Sequence, residues 1–326
     1  MASSTTGPRH ILRSVVRRAG RAVERVASAL PRRRRVEQLF LKLWWNRAPA
    51  SMLDSYLVSG YQNPHINVQS VLQRHFLLRR LFGSAFEELM ADELRLAIEL
   101  NEVMRARAAE LGVTMGAYLD PDKAAGVQQV EEAIRDREAV AVDRWRAALE
   151  GRDAEPISVL ELACGSANDY RTFVECGLAR FLDYRGIDLT PKNITNARRR
   201  FPGVAFEVGD ITRIEAPDRS VDYVIASDIF EHLSPEAREE ALDEATRLAR
   251  RGLALTFFNM AEVPEHEINP KRMYYWNRLS RPRIEDRLRT DFPVIEVVPV
   301  AAWLRAEHGY QHPYNSKAHT IFAERA

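Results

Sequence analysis

The 326-residue chain is short of several features that would assign its class at once. It has two cysteines, Cys164 and Cys176, without metal-ligand spacing, so a disulfide scaffold is not expected and a reduced, cytoplasmic compartment fits best. No run of about 18 apolar residues occurs, which argues against a helical membrane span. The N-terminus lacks the compact apolar core of a secretory leader. Neither sign of charge dominates: 47 Lys and Arg against 46 Asp and Glu leave a formal charge of +1, no global case for nucleic acid. No His/Asp cluster suggests a metal, and no strand pattern interrupts roughly the first 150 residues.

Charge is instead concentrated at the start. Leu12, Val15, Val16, Ala19, Val23, Val26, Ala27 and Leu30 recur at helical spacing, Arg13, Arg17, Arg21 and Arg25 repeat on another face, and Arg32 to Arg35 follow Pro31. Residues 1–35 therefore read as a basic amphipathic arm. Three roles fit it: peripheral contact with an anionic membrane, a solvated terminal arm, or a transit segment. Residues 36–151 read as an all-helical region, with segments at Val36–Trp45 and Ser51–Val58. Asn67 is expected to cap a helix running to Leu81. Ser84 and Glu87 have the spacing of a capping box for a helix through Leu111, with Gly112 just past its end, and Asp120-Pro121 opens a last one that closes at Gly151. His65 and His75 are candidates either for the ligand cleft or for ordinary turn and helix-surface positions.

After Gly151 the period changes. Apolar strands at Ile157–Leu162, Tyr184–Leu189, Val204–Val208, Val221–Ser227 and Leu253–Phe258 alternate with helical segments, and two more strands are expected near Val294–Val300 and His319–Ala323. This predicts a doubly wound α/β sheet over residues 152–326. The first strand breaks into Ala163-Cys-Gly165-Ser166-Ala167, small residues that let backbone approach a ligand before a helix begins. Acidic residues end successive strands: Glu161, Asp188 before Leu189, Asp210 before Ile211, and Asp228 after Ser227. Because the carboxyl ends of parallel strands share one edge, these acids are expected to ring a single crevice.

Glu161-Leu-Ala-Cys-Gly-Ser-Ala167 resembles the first motif of the class I S-adenosylmethionine-dependent methyltransferases, with Ala163 and Ala167 where that family usually has glycine. Asp188 matches the family's ribose ligand, Asp210 and Ile211 its adenine-binding pair, and Asp228-Ile-Phe-Glu-His-Leu233 an Asp-x-x-Glu-His-Leu stretch of its small-molecule members. The resemblance implies a seven-stranded Rossmann-like sheet with the last strand antiparallel, S-adenosyl-L-methionine as cofactor, and Glu161, Ala163, Gly165, Ser166, Asp188, Leu189, Asp210, Ile211 and Ser227 as its contacts. A dinucleotide oxidoreductase is the competing reading of such a sheet, but Asn168 stands where it needs its third glycine.

Methyl transfer from a sulfonium requires alignment and exclusion of water, and a hydroxyl acceptor also requires a base. His232 is the leading candidate base, with Asp228 and Glu231 as alternatives. No Asp/Asn-Pro-Pro-Tyr/Phe signature follows the fourth strand, which disfavours an amino-methylating nucleic-acid enzyme. Between the fifth strand and the tail, His266, Tyr274, Tyr275 and Trp276 are candidates for acceptor contact, or for anchoring the insertion. The expected partner is a small-molecule, saccharide or lipid-linked acceptor, and the expected reaction O-methylation. The alternative is a non-catalytic cofactor-binding scaffold that engages membrane or nucleic acid through its basic arm.

Overall fold

The computed structural model describes residues 63–112, 124–271, 274–311 and 314–325. The basic arm, the segments at Val36–Trp45 and Ser51–Val58, and Asp120-Pro121 lie outside them. Four helices come first: α1 (Val68–Phe82), α2 (Glu87–Leu111), α3 (Ala124–Glu132) and α4 (Arg135–Leu149). Asn67 caps α1, its side chain accepting from the Gln69 and Ser70 N–H groups. The capping box expected for α2 does not form. Phe86 occupies the cap position without a side-chain bond, and the Glu87 carboxylate pairs with Arg79 instead. The single helix expected up to Gly151 is two, because the chain turns between Glu132 and Arg135 and buries Ile134 against Leu100, Met104 and Val130.

The rest is strand and helix in alternation: β1 (Ile157–Leu162), α5 (Asn168–Glu175), β2 (Leu182–Asp188), α6 (Pro191–Arg200), β3 (Ala205–Val208), β4 (Val221–Ser227), α7 (Pro235–Leu248) and β5 (Ala249–Phe257). A short β6/β7 pair (Met260–Ala261 with Leu279–Ser280) brackets the insertion. Then come α8 (Arg281–Arg289), β8 (Val294–Pro299), α9 (Val300–His308) and β9 (His319–Glu324). The seven-stranded sheet has the order β3-β2-β1-β4-β5-β9-β8. β9 is antiparallel to both neighbours, while β1 to β5 pair in parallel. Central β1 is buried on both faces, as a continuous apolar run requires. Helix α9 occupies an interval between the last two strands for which the sequence reading named no element.

Two core clusters line the two faces of the sheet, and α1 belongs to one of them. It lies lengthwise over β4, β5 and β9, and residues spaced by three or four positions make the contact. Gln69 Nε2 donates to the Phe257 and His319 carbonyls at 3.2 and 2.9 Å. Phe76 stacks on Phe322 at 4.9 Å and meets Tyr223 edge-on at 5.3 Å. Arg80 closes the stripe on Glu324. The helical region and the sheet therefore share one interior.

Candidate ligand crevice and its acids

The crevice is built on the turn after β1. Ala163, Gly165 and Ala167 all have left-handed backbone, with φ of 56°, 55° and 63°. Alanine tolerates this at about 1–2 kcal/mol per residue, so the turn forms with alanine at both outer positions. A side chain added at Gly165 would meet open space, with nothing within 4 Å: the turn presents bare backbone to the crevice. Cys164 serves packing, since a Cβ at Gly186 would come within 2.8 Å of its Sγ, and burial pushes its thiol well above the ordinary value.

Asp188 organises the turn. Its carboxylate accepts from the Gly165 N–H at 3.1 Å, the Thr190 N–H at 2.8 Å and Asn193 Nδ2 at 3.1 Å. Burial raises its pKa, and these donors oppose the rise. Glu161 is buried and accepts the Tyr184 hydroxyl at 2.5 Å. Desolvation, with Asp169 and Asp188 nearby, raises it well above the carboxylate range. Asp210 accepts the Thr212 N–H and hydroxyl at 3.0 and 2.7 Å beside buried Ile211. Leu189 is half-buried at the strand end. Ser166 is buried, its carbonyl held by Arg200 Nη1 at 2.6 Å.

On the other side of the turn, Ser227 Oγ lies 3.0 Å from Gln73 Oε1 and 2.9 Å from Asp169 Oδ2. Asp228 has a left-handed φ of 53°, a strain that favours a functional role over a packing one. It accepts Thr256 Oγ1 at 3.0 Å. Glu231 is fully buried: one oxygen accepts the Asn259 N–H at 3.0 Å, and the other has no partner. Burial, and for Glu231 the neighbouring Asp228, raise both carboxyls together. Among the described residues no Lys or Arg forms an ion pair with Glu161, Asp169 or Asp228. The crevice thus concentrates acid that a bound cation would satisfy.

His232 stands beside this group. Its Nδ1 lies 3.1 Å from the Tyr275 carbonyl, which can only accept, so Nδ1 carries the proton and Nε2 the lone pair. Burial lowers its pKa, against the pull of that carbonyl. Phe258, Trp276 and Tyr274 surround it at ring distances of 5.1, 5.5 and 5.7 Å. Trp276 also meets Phe258 at 4.8 Å and Tyr274 at 6.3 Å, so the rings form one cluster around His232.

Several candidates lie elsewhere. His266 Nδ1 accepts the Ser280 N–H at 2.9 Å at the base of the insertion, and burial near Arg238 holds its pKa down to about 4. It pins the β6/β7 corner and has no bond to the His232 group. Tyr275 contributes its carbonyl. Neither early histidine is a surface residue: His75 is buried on Glu93 at 2.6 Å, and His65 on Glu175 at 2.6 Å. Sequence reading missed Gln73, Asp169 and Phe258. A glutamine pair four residues apart on the apolar face of α1 was the available signal for Gln73.

Residues 159–252 match the family model described as a methyltransferase domain. A trans-aconitate 2-methyltransferase of Methylobacterium nodulans is 31% identical over 119 residues, 35% of this chain and 43% of that protein. A demethylmenaquinone methyltransferase of Beutenbergia cavernae is 30% identical over 152 residues, 44% of this chain and 61% of that protein. The chain thus spans less than two thirds of each of these relatives. Among solved structures, the magnesium protoporphyrin IX methyltransferase of Synechocystis, 18% identical, aligns over 60% of this chain and 83% of its own with a TM-score of 0.37.

Proposed function

Because the chain belongs, through residues 159–252, to the class I S-adenosylmethionine-dependent methyltransferase family, we propose that the whole protein transfers the cofactor's methyl group to a hydroxyl of a small-molecule, saccharide or lipid-linked acceptor. The observation that carries this reading is the half-buried turn at Gly165, with open space where a side chain would stand and its N–H tied to Asp188. Asp188 and Asp210 would hold the nucleoside, with Ile211 against the base. Glu161, Asp169 and Asp228 would balance the positive charge of a sulfonium and an ammonium. When bound, the cofactor supplies an electrophilic methyl group.

What remains for the protein is to orient the acceptor, exclude water and take a proton. His232 fits the last task, since its Nδ1 is engaged by Tyr275 and its depressed pKa leaves Nε2 able to accept near neutrality. Phe258, Tyr274 and Trp276 supply an apolar wall around the imidazole, and Tyr274 and Trp276 are 39% and 42% exposed, suited to stacking on a ring-bearing acceptor. Asp228 has no bond to His232 and acts on the cofactor side.

The test is transfer of labelled methyl from S-adenosylmethionine by the intact protein to a panel of hydroxylated glycosides, phenols and lipids. At least one should be methylated, and His232→Ala should lower kcat by about 10²–10⁴-fold without weakening S-adenosylhomocysteine binding. Methylation at nitrogen alone, or unchanged turnover by the variant, would refute O-methylation with His232 as base.

A further inference from the structure

The junction of Gln73, Ser227 and Asp169 contains an unbalanced hydrogen-bond count. Gln73 is 1% exposed, and its Nε2 donates to the Ala226 and Ala254 carbonyls at 3.3 and 3.0 Å. Carbonyls only accept, so the amide cannot turn over and Oε1 must face Ser227. The Ser227 hydroxyl therefore lies between two acceptors, Gln73 Oε1 at 3.0 Å and Asp169 Oδ2 at 2.9 Å, with one proton to give. Whichever oxygen receives it, the other goes without. Arg74 is within electrostatic reach of Asp169, yet it bonds to Thr172 and Glu93. Glu161 and Asp228 lie within electrostatic reach of the same Asp169 carboxylate. A ligand group with several N–H donors and a positive charge would settle the count.

Topology indicates which group that is. The order β3-β2-β1-β4 puts Asp210 and Asp188 on one side of the Gly165 turn and the Ser227 junction on the other. With a nucleoside over β2 and β3, the remainder of the ligand lies over β4. We propose that Gln73, from the helical region, and Asp169, from the first turn of α5, recognise the α-ammonium group of the cofactor, with Ser227 holding their two oxygens in place. This assignment rests on the cofactor reading above. It makes α1 part of the ligand site and gives a reason for the second of the two buried glutamines on that helix face.

The experiment is calorimetric titration of the intact protein with S-adenosylhomocysteine and with 5′-methylthioadenosine, which has the nucleoside and thioether but no amino-acid group. Gln73→Met should weaken S-adenosylhomocysteine at least tenfold and leave methylthioadenosine within about twofold, the range for losing a hydrogen bond to a charged group. Gln69→Met is the control, since Gln69 makes the same kind of carbonyl bonds one turn earlier, and it should change neither ligand. Asp169→Asn should repeat the Gln73→Met pattern, which keeps the test in hand if Gln73→Met folds poorly. Equal weakening of both ligands in Gln73→Met, or the same selectivity loss in Gln69→Met, would overturn the assignment. Failure of the unaltered protein to bind either ligand would overturn the cofactor reading and the assignment with it.

Discussion

At the scale of single residues, protonation is what sets the crevice apart. His232 is neutral wherever pH exceeds its lowered pKa, so kcat should rise with pH below about 6.5 and then level off. A pH–rate profile checks this; an acidic limb centred above that value would contradict an imidazole depressed by burial. Glu231 behaves oppositely. Its folded-state pKa is raised above the ordinary 4.5, towards 8, so the folded protein holds a proton that the unfolded chain gives up first. Its contribution to stability is complete below about 4.5 and is lost progressively as pH rises through the folded value. Glu231→Gln keeps the protonated shape permanently. Its melting temperature should match the parent at acid pH and exceed it by a margin that grows up to about pH 8, as scanning calorimetry at several pH values would show. A variant less stable than the parent at every pH would mean that Glu231 is ionised in the fold.

At the scale of elements, helices α1 and α2 are joined by a buried charge network. Glu93 takes Arg74 on one oxygen at 2.5 Å and His75 on the other at 2.6 Å, with all three side chains buried. Burial would raise the carboxyl, but the Arg74 charge and the His75 bond outweigh it and hold the pKa at about 2. Its stabilising contribution is therefore present above the ordinary carboxylate range and lost as pH falls towards 2. Glu93→Ala leaves Arg74 buried without its carboxylate and should cost about 3–5 kcal/mol in denaturant titrations. Loss of under about 1 kcal/mol would show that water reaches the site and screens the pair. Since α1 also carries Gln73, the same variant should weaken ligand binding indirectly, which is why Gln69→Met is the better control for that residue.

At the scale of the whole molecule, strand positions were legible because β1, β4 and the second half of β5 are largely apolar runs bounded by turn residues, a signal that needs no tertiary context. The acids at the strand ends were legible for the same reason: a parallel sheet places all carboxyl ends on one edge. What stayed hidden depended on packing. Ser84 and Glu87 have capping-box spacing, but Glu87 finds Arg79 from the preceding helix, and a local pattern cannot anticipate a tertiary partner. His266 looked like an acceptor contact because of its neighbours in sequence, yet its Nδ1 takes a backbone N–H from Ser280, 14 positions away. Gln73 was invisible as a site residue because its partners come from β4 and β5, more than 150 residues on.

The proposed cofactor crevice is centred on Asp188, and calorimetric titration of S-adenosylhomocysteine into the native protein and Asp188→Ala tests it most directly. Saturable binding to the native protein, weakened by about 1–3 kcal/mol in the variant, is the predicted result; no binding to the native protein, or equal affinity in both, would contradict it.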